Sequence, residues 1–271
     1  MDGNLITICL LTAAINLIGA LAYAARIAGV RTKRIAMSFA LFNVLILGSR
    51  LANGFLGPLL AKRVENTIAH SGPVGGAHDL QFDFHIMLAS SSAAVFLGIL
   101  LVPSGQRVFS VAIEKLKRSR SLARLLLRSA TPSGVRVMYQ SLAFPRLHLN
   151  HTFAKPHELG WGIVIANCLA QAVLAVGVFA SIYAGYLNPE YRVTASQLSS
   201  VINGFATILL FAFIDPHLSV ITDDAVDGRV SESAFRRVIV WISVSRLAGT
   251  VLAQLLFLPA AQAVAWISNY V

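Results

Sequence analysis

Two arginines stand inside long apolar stretches of this chain. Arg50 and Arg246 are each the second residue of the sequence Ser-Arg-Leu-Ala, which begins at Ser49 and again at Ser245. A guanidinium in membrane hydrocarbon costs about 2.5–3.5 kcal/mol on insertion scales, so an arginine there usually has a function. Its planar donor fork stays charged and binds pairs of oxygens, which suits a diphosphate. We therefore predict that both arginines face a polar interior that binds an anion.

Two aspartates at the edges of apolar segments, Asp83 and Asp215, are candidate partners for these arginines. An ion pair would be a purely structural role, although a substrate phosphate could displace the acid. In a second interpretation, Asp83 and His85 carry protons in a coupled transporter. A third is that the aspartates cap helices or sit at the membrane interface, which we favour for Asp215 because it precedes Pro216 and begins a loop.

Amide side chains are frequent within the apolar segments. Most are expected to join helices by hydrogen bonds, at about 0.6 kcal/mol each. Asn43 lies seven residues before Arg50 and so shares its helix face, which makes it a candidate for the same cleft. The amides are Asn16, Asn43, Asn53, Asn167, Gln171, Asn203 and Gln254.

The composition is that of a polytopic membrane protein. The 271 residues are 56% hydrophobic and 13% charged, whereas a soluble domain has about 25% charged residues. We predict an all-α protein that forms one integral membrane domain over residues 1–271. No motif for a metal or another cofactor is present. Six segments are long enough to span a membrane: 4–25, 35–60, 83–103, 159–187, 196–214 and 238–266.

Basic residues fall mainly on one side of this topology. The loops after the first, third and fifth spans hold most of them, whereas the opposite side holds Lys62, Arg63 and Arg192. The positive-inside rule therefore predicts that both termini lie outside the cytoplasm. The net charge of +10 is then explained by cytoplasmic loops that contact anionic lipids, and we expect no nucleic-acid partner.

The segment 104–158 is predicted to be one large basic, amphipathic, cytoplasmic loop. Basic and apolar residues alternate from Gln106 to Arg128, which indicates a helix in the membrane interface. Such a helix either gathers an anionic headgroup or only anchors the topology. Three histidines follow, but a metal site would need a fourth ligand and a rigid arrangement, so we predict none. They are His148, His151 and His157.

The two Ser-Arg-Leu-Ala sequences also suggest an internal repeat. Each follows a basic loop, and both helices run from inside to outside. Spans one and two would then correspond to spans five and six, as a parallel repeat about an axis along the membrane normal. Chance is the alternative, because a four-residue match between apolar helices is not rare.

Several stretches resemble the Amj family of bacterial lipid II flippases. The resemblance implies a six-span protein of the bacterial cytoplasmic (inner) membrane, a transporter and not an enzyme. It implies movement of undecaprenyl-diphosphate-linked disaccharide-pentapeptide from the inner to the outer leaflet for peptidoglycan synthesis. It carries over no set of functional residues. The stretches are Arg26 to Lys33, Leu41 to Val44, Ile214 to Pro216, Thr222 to Asp224, Phe235 to Arg237 and Ser245 to Gly249.

For a lipid II flippase, we predict that lipid II binds through its diphosphate near Arg50 and Arg246. Arg26, Arg31 and Lys33 would collect it at the cytoplasmic side. Six helices are a small scaffold for so large a headgroup, so a homodimer with a shared cleft is a further hypothesis. Two alternatives stay open: a proton-coupled carrier of small solutes, and a non-transporting membrane scaffold or lipid enzyme.

Overall fold

The chain folds into long helices, with no strand in the part that the structure describes. This computed structural model describes residues 3–72, 76–119, 121, 125, 127, 131–142, 156 and 158–271. The helices are α1 (Gly3–Thr32), α2 (Ile35–Ser71), α3 (Ala77–Ser119), α4 (Pro132–Gln140), α5 (Trp161–Leu187), α6 (Arg192–Leu209), α7 (Asp215–Val226) and α8 (Glu232–Ile267). A π-helical turn, Leu210–Ile214, joins α6 to α7 without a break.

Six helical segments are long and apolar enough to cross a membrane, as the sequence predicts. They are Gly3–Thr32, Ile35–His70, Ala77–Arg118, Trp161–Leu187, Arg192–Val226 and Glu232–Ile267. Most are longer than the hydropathic segments, because a helix continues beyond the hydrocarbon wherever its polar ends reach water or neighbouring protein.

The fifth span departs from the expectation for Asp215. This residue does not begin a loop, because the helix continues through Asp215 and Pro216 to Val226. A proline inside an α-helix collides with the carbonyl four residues earlier. Here the preceding turn is π-helical, and the backbone N–H of Asp215 donates to the carbonyl of Leu210. The wider turn lets the chain pass the proline and continue as a helix.

The first part of the basic segment 104–158 does not form a separate interfacial helix. Residues 104–119 continue α3. Their apolar face is buried against protein, since Ile113 and Leu116 cluster with Ala28 of α1 and Leu41 of α2. The predicted helix beyond Ser119 is only partly within the described residues. Some positions lie outside them, among them Arg128 and the three histidines His148, His151 and His157.

Four helices, α1, α3, α5 and α8, form the centre of the molecule. The most extensive packing joins α5 to α8 and α1 to α3. Small residues permit the second contact: Gly98 and Gly105 of α3 face Ala20 and Ala24 of α1 so closely that an added Cβ would collide. Helix α2 packs mainly on α1, and α6 packs mainly on α5. These two outer helices pack little against each other, which leaves space between them.

Candidate functional site

A cavity of about 590 Å³ lies between the central helices and the two outer ones. Its walls come mainly from α1, α2, α5 and the continuous α6–α7 helix, while α8 contributes Arg246 and α3 contributes Ser91. Along α1 the lining extends from Thr12 to Arg26, which is about 20 Å at about 1.5 Å per residue. This length is about two thirds of the thickness of a membrane hydrocarbon core, which is about 30 Å.

Five of the nine residues that the sequence predicts for substrate binding, ion pairing or proton coupling line this one cavity. They are Arg26, Asn43, Arg50, Asp215 and Arg246. Arg50 and Arg246 thus share a cavity, although their helices do not belong to one hairpin.

The other four predicted residues lie elsewhere. Arg31 and Lys33 are exposed at the end of α1 and in the turn that follows it. Asp83 and His85 belong to α3 and are not part of the cavity lining.

Arg246 reaches the cavity from the central helix α8 across a glycine of α1. A Cβ added to Gly19 would collide with the Arg246 guanidinium, so the missing side chain makes room for it. The preceding residue is fixed as well, because the Asn167 amide donates to Ser245 Oγ at 2.6 Å and to the Ile242 carbonyl at 3.1 Å. These contacts hold the backbone that carries Arg246.

Arg26 is paired with Asp215 at one end of the cavity. Its Nη2 lies 2.8 Å from Asp215 Oδ1, and the side chains are 11% and 40% exposed. The guanidinium carbon also lies 5.5 Å from the centroid of the Phe39 ring, a cation–π contact with α2. Asp215 is therefore the partner of Arg26, and the prediction that it pairs with Arg50 or Arg246 is wrong.

Arg50 has a different setting, on the outer helix α2. Asn43 and Asn53 lie on the same wall, and all three side chains line the cavity while remaining exposed. Among the described residues, neither Arg50 nor Arg246 forms an ion pair. Two of the three cavity arginines thus keep their charge available to a ligand.

Several buried polar atoms of the lining have no hydrogen-bond partner within the described part of the chain. Leaving such an atom unsatisfied costs about 1–3 kcal/mol, and more for a charged group. Both donors and acceptors are represented, as a ligand with phosphate, hydroxyl and amide groups would require. The atoms are Thr12 Oγ1, Arg26 Nη1, Asn167 Oδ1, Asn203 Oδ1 and Arg246 Nε.

Asp83 belongs to a separate polar cluster between α2 and α3. Its Oδ2 accepts from Arg63 Nε at 2.8 Å and from Arg63 Nη2 at 2.5 Å. The two side chains are only 14% and 17% exposed. The prediction that Asp83 pairs with Arg50 or Arg246 is therefore wrong: α2 extends beyond the predicted span, so that Arg63 stands within the helix and reaches the acid.

His85 has a partner of its own, on α8. Its Nδ1 lies 2.8 Å from Gln254 Oε1, and the Gln254 amide donates back to the His85 carbonyl at 3.2 Å. Asp83 and His85 thus face different partners, Arg63 on α2 and Gln254 on α8. Among the described residues, no group of three or more His, Cys, Asp or Glu could hold a metal ion.

Three residues on one wall of the cavity, Thr12, Gly19 and Tyr23, were not predicted from the sequence, although a signal existed. Thr12, Asn16, Gly19, Tyr23 and Arg26 all line the cavity. They follow one another at alternating intervals of four and three residues, the spacing of a single helix face. A search of the first span for a polar face that ends on Arg26 would have found them.

Comparisons with known proteins agree with the resemblance in the sequence. The family model described as "Amj: Alternate to MurJ" matches residues 11–268. The protein named "Lipid II flippase Amj" from Bacillus subtilis (strain 168) is 33% identical over 261 residues, which cover 94% of this chain and 93% of the relative. No solved structure matches the chain. A family match over nearly the whole length, together with this relative, shows that the chain belongs to the Amj family.

Proposed function

We propose that this protein is a lipid II flippase of the bacterial cytoplasmic membrane. It moves the undecaprenyl-diphosphate-linked disaccharide-pentapeptide from the inner to the outer leaflet for peptidoglycan synthesis. The observation that carries the proposal is the single cavity that runs about 20 Å along the helices and is lined by Arg26, Arg50 and Arg246. The family and the name of the Bacillus subtilis relative support the choice of substrate.

The charge of the cavity supports a diphosphate ligand. Its lining contains three arginines and one acid, Asp215, which leaves an excess of two positive charges. A diphosphate that links a lipid to a sugar carries two negative charges. Charges attract more strongly in a membrane interior than in water, so this balance offsets the desolvation of the diphosphate.

The amides of the lining suit the sugar and peptide parts of the headgroup. Asn16, Asn53, Gln171 and Asn203 add donors and acceptors to the same cavity. An amide side chain offers both a carbonyl oxygen and an NH₂ group. It can therefore bind hydroxyl and peptide groups without the charge that would trap them.

Capture of the substrate begins at the cytoplasmic end of α1. Arg31 and Lys33 are exposed there, and Lys33 is seven residues, or about 10 Å, beyond Arg26. We expect them to attract the diphosphate, after which Arg26 and then Arg50 and Arg246 bind it. Lys115, Lys117 and Arg118 at the neighbouring end of α3 are also exposed, and we propose that they hold anionic lipids.

The test is alanine substitution of the two unpaired arginines. We expect Arg50→Ala and Arg246→Ala each to lower surface display of lipid II at least tenfold in cells that lack any other flippase. Loss of a hydrogen bond to a charged group costs about 1.5–3 kcal/mol, and about 1.4 kcal/mol is a factor of ten. Lys62→Ala, which removes an exposed cation of α2 outside the cavity, is the matched control. Wild-type display by both arginine variants at normal expression would refute the arginine site.

We further propose that two copies associate through α2. Asn43, Arg50 and Asn53 line the cavity and yet remain exposed on this outer helix, and polar groups that reach lipid are unfavourable. A second copy would shield them and enlarge the cleft for the headgroup.

Cysteine cross-linking tests this interface. With both native cysteines replaced by alanine, Leu51→Cys on the exposed side of α2 should give a disulfide-linked dimer in membranes. Val251→Cys on the exposed side of α8 should not. Equal cross-linking of the Leu51→Cys and Val251→Cys variants would argue against this interface.

A further inference from the structure

The π-helical turn between α6 and α7 contains two phenylalanines with different surroundings. Phe211 and Phe213 are both 58% exposed. Phe211 lines the cavity, as Leu210 does, whereas Phe213 is not part of the lining. Phe211 therefore stands at the boundary between the cavity and the surroundings of the protein, and Phe213 faces the surroundings alone.

Helix α2 supplies the opposite side of this boundary. Phe42 and Ile46 line the cavity there. Helix α2 and the α6–α7 helix pack little against each other, and both present apolar side chains to the cavity. We call the gap bounded by Phe42, Ile46, Leu210 and Phe211 the lateral opening.

The lateral opening lies at the depth of a cavity arginine. The π-helical turn directly precedes Asp215, which is paired with Arg26 at 2.8 Å. On the other side, Asn43 stands between Phe42 and Ile46 and also lines the cavity. Apolar and polar side chains thus lie within about one helical turn of each other. An amphiphile with a charged head and an apolar tail requires such an arrangement.

We propose that the lateral opening is the binding site for the polyprenyl chain of the substrate. The inference rests on the proposed function. The diphosphate lies inside the cavity at the arginines, and the isoprenoid passes between Phe42 and Phe211 into the bilayer. Exposing apolar groups to water is unfavourable in proportion to the area exposed, so a long tail that stays in lipid avoids a large cost during transport. The aromatic rings contact the first isoprene units and set where the tail leaves.

Site-specific photocross-linking tests this inference. The photoreactive phenylalanine analogue p-benzoylphenylalanine is introduced at position 211 or, as the matched control, at position 213 of the full chain. Each variant is reconstituted in phosphatidylglycerol vesicles that contain lipid II with a radiolabelled polyprenyl chain. We expect at least fivefold more label on the protein from position 211 than from position 213. Excess unlabelled lipid II should remove the difference, whereas polyprenol without phosphate should not.

The outcomes separate this inference from the proposed function when lipid II movement is measured in the same vesicles. Equal labelling at positions 211 and 213 would show that the polyprenyl chain does not bind at the lateral opening. Competition by polyprenol as strong as that by lipid II would also overturn this assignment. If lipid II still moves in that case, the proposed function survives. Preferential labelling at position 211 without movement of lipid II would support the lateral opening and refute transport.

Discussion

Gly19 illustrates how one residue prepares the site for a charge that comes from another helix. The Arg246 guanidinium occupies the space that any larger side chain at position 19 would take. The arginine belongs to the central helix α8, and it reaches the cavity past α1 at the position where α1 has no side chain. Glycine is unfavourable inside a helix by about 1 kcal/mol relative to alanine, and the room for Arg246 explains its presence here.

Gly19→Ala should reduce transport more than it changes stability. The added methyl group collides with the end of a flexible side chain, so the guanidinium shifts and the fold remains. We expect lipid II display to fall about tenfold, which corresponds to about 1.4 kcal/mol, at normal protein levels. Gly48→Ala is the control, because nothing lies within 4 Å of the new methyl group on α2. If the two variants transported equally well, the position of Arg246 beside Gly19 would not matter for function.

At the scale of the helices, two ion pairs attach the outer helices to the centre. Arg63–Asp83 joins α2 to α3, and Arg26–Asp215 joins α7 to α1. They differ in surroundings. The first has two nearly buried side chains outside the cavity lining, and the second lines the cavity with a half-exposed carboxylate. We therefore assign the first pair to stability and the second to the site.

Substitution of the structural pair tests this assignment. Asp83→Asn removes the carboxylate that accepts two hydrogen bonds from the nearly buried Arg63, and breaking a buried pair costs about 3–5 kcal/mol. We expect a clearly lower Tm in detergent than that of the wild type, and a smaller decrease for Asp215→Asn, whose carboxylate is more exposed.

The double variant Arg63→Met with Asp83→Leu provides the control. Apolar replacement of both members of a buried pair is often neutral or stabilising, so the Tm should recover and transport should persist. Loss of transport in a stable double variant would mean instead that Asp83 takes part in the mechanism, as the proton-carrier alternative requires.

At the scale of the molecule, the two outer helices α2 and α6–α7 enclose the cavity against a packed centre. The proposed repeat of spans one–two and five–six stays a prediction. Its two hairpins are packed differently, since α1 and α2 make extensive contact whereas α8 packs mainly on α5. Ser245 is buried and Ser49 is half-buried. Arg246 thus belongs to the centre of the protein and Arg50 to a peripheral wall.

The proposed direction of transport depends on the topology, in which both termini lie outside. Alkaline phosphatase is active only outside the cytoplasm. We expect activity when it is fused after Val271 and no activity when it is inserted after Ser121, in the basic segment. The distribution of lysine and arginine is the physical reason. The opposite pattern would invert the protein and place Arg31 and Lys33 on the side where lipid II is released.

The sequence by itself determined the class of protein, the six helices and the presence of costly arginines within them. These follow from local composition, because hydrocarbon requires about 20 apolar residues per span and penalises every charge. The family could also be recognised from short stretches in order, such as Arg26 to Lys33.

Only the tertiary structure decided which charges meet. Asp215 meets Arg26, Asp83 meets Arg63, and Arg50 and Arg246 face one cavity without a described acid partner. A pairing between helices depends on the rotation and depth of both, which are set by close contacts such as those at Gly98 and Gly105 and by the π-helical turn before Asp215. These arise from packing between residues that are distant along the chain, so hydropathy along a single helix does not contain them.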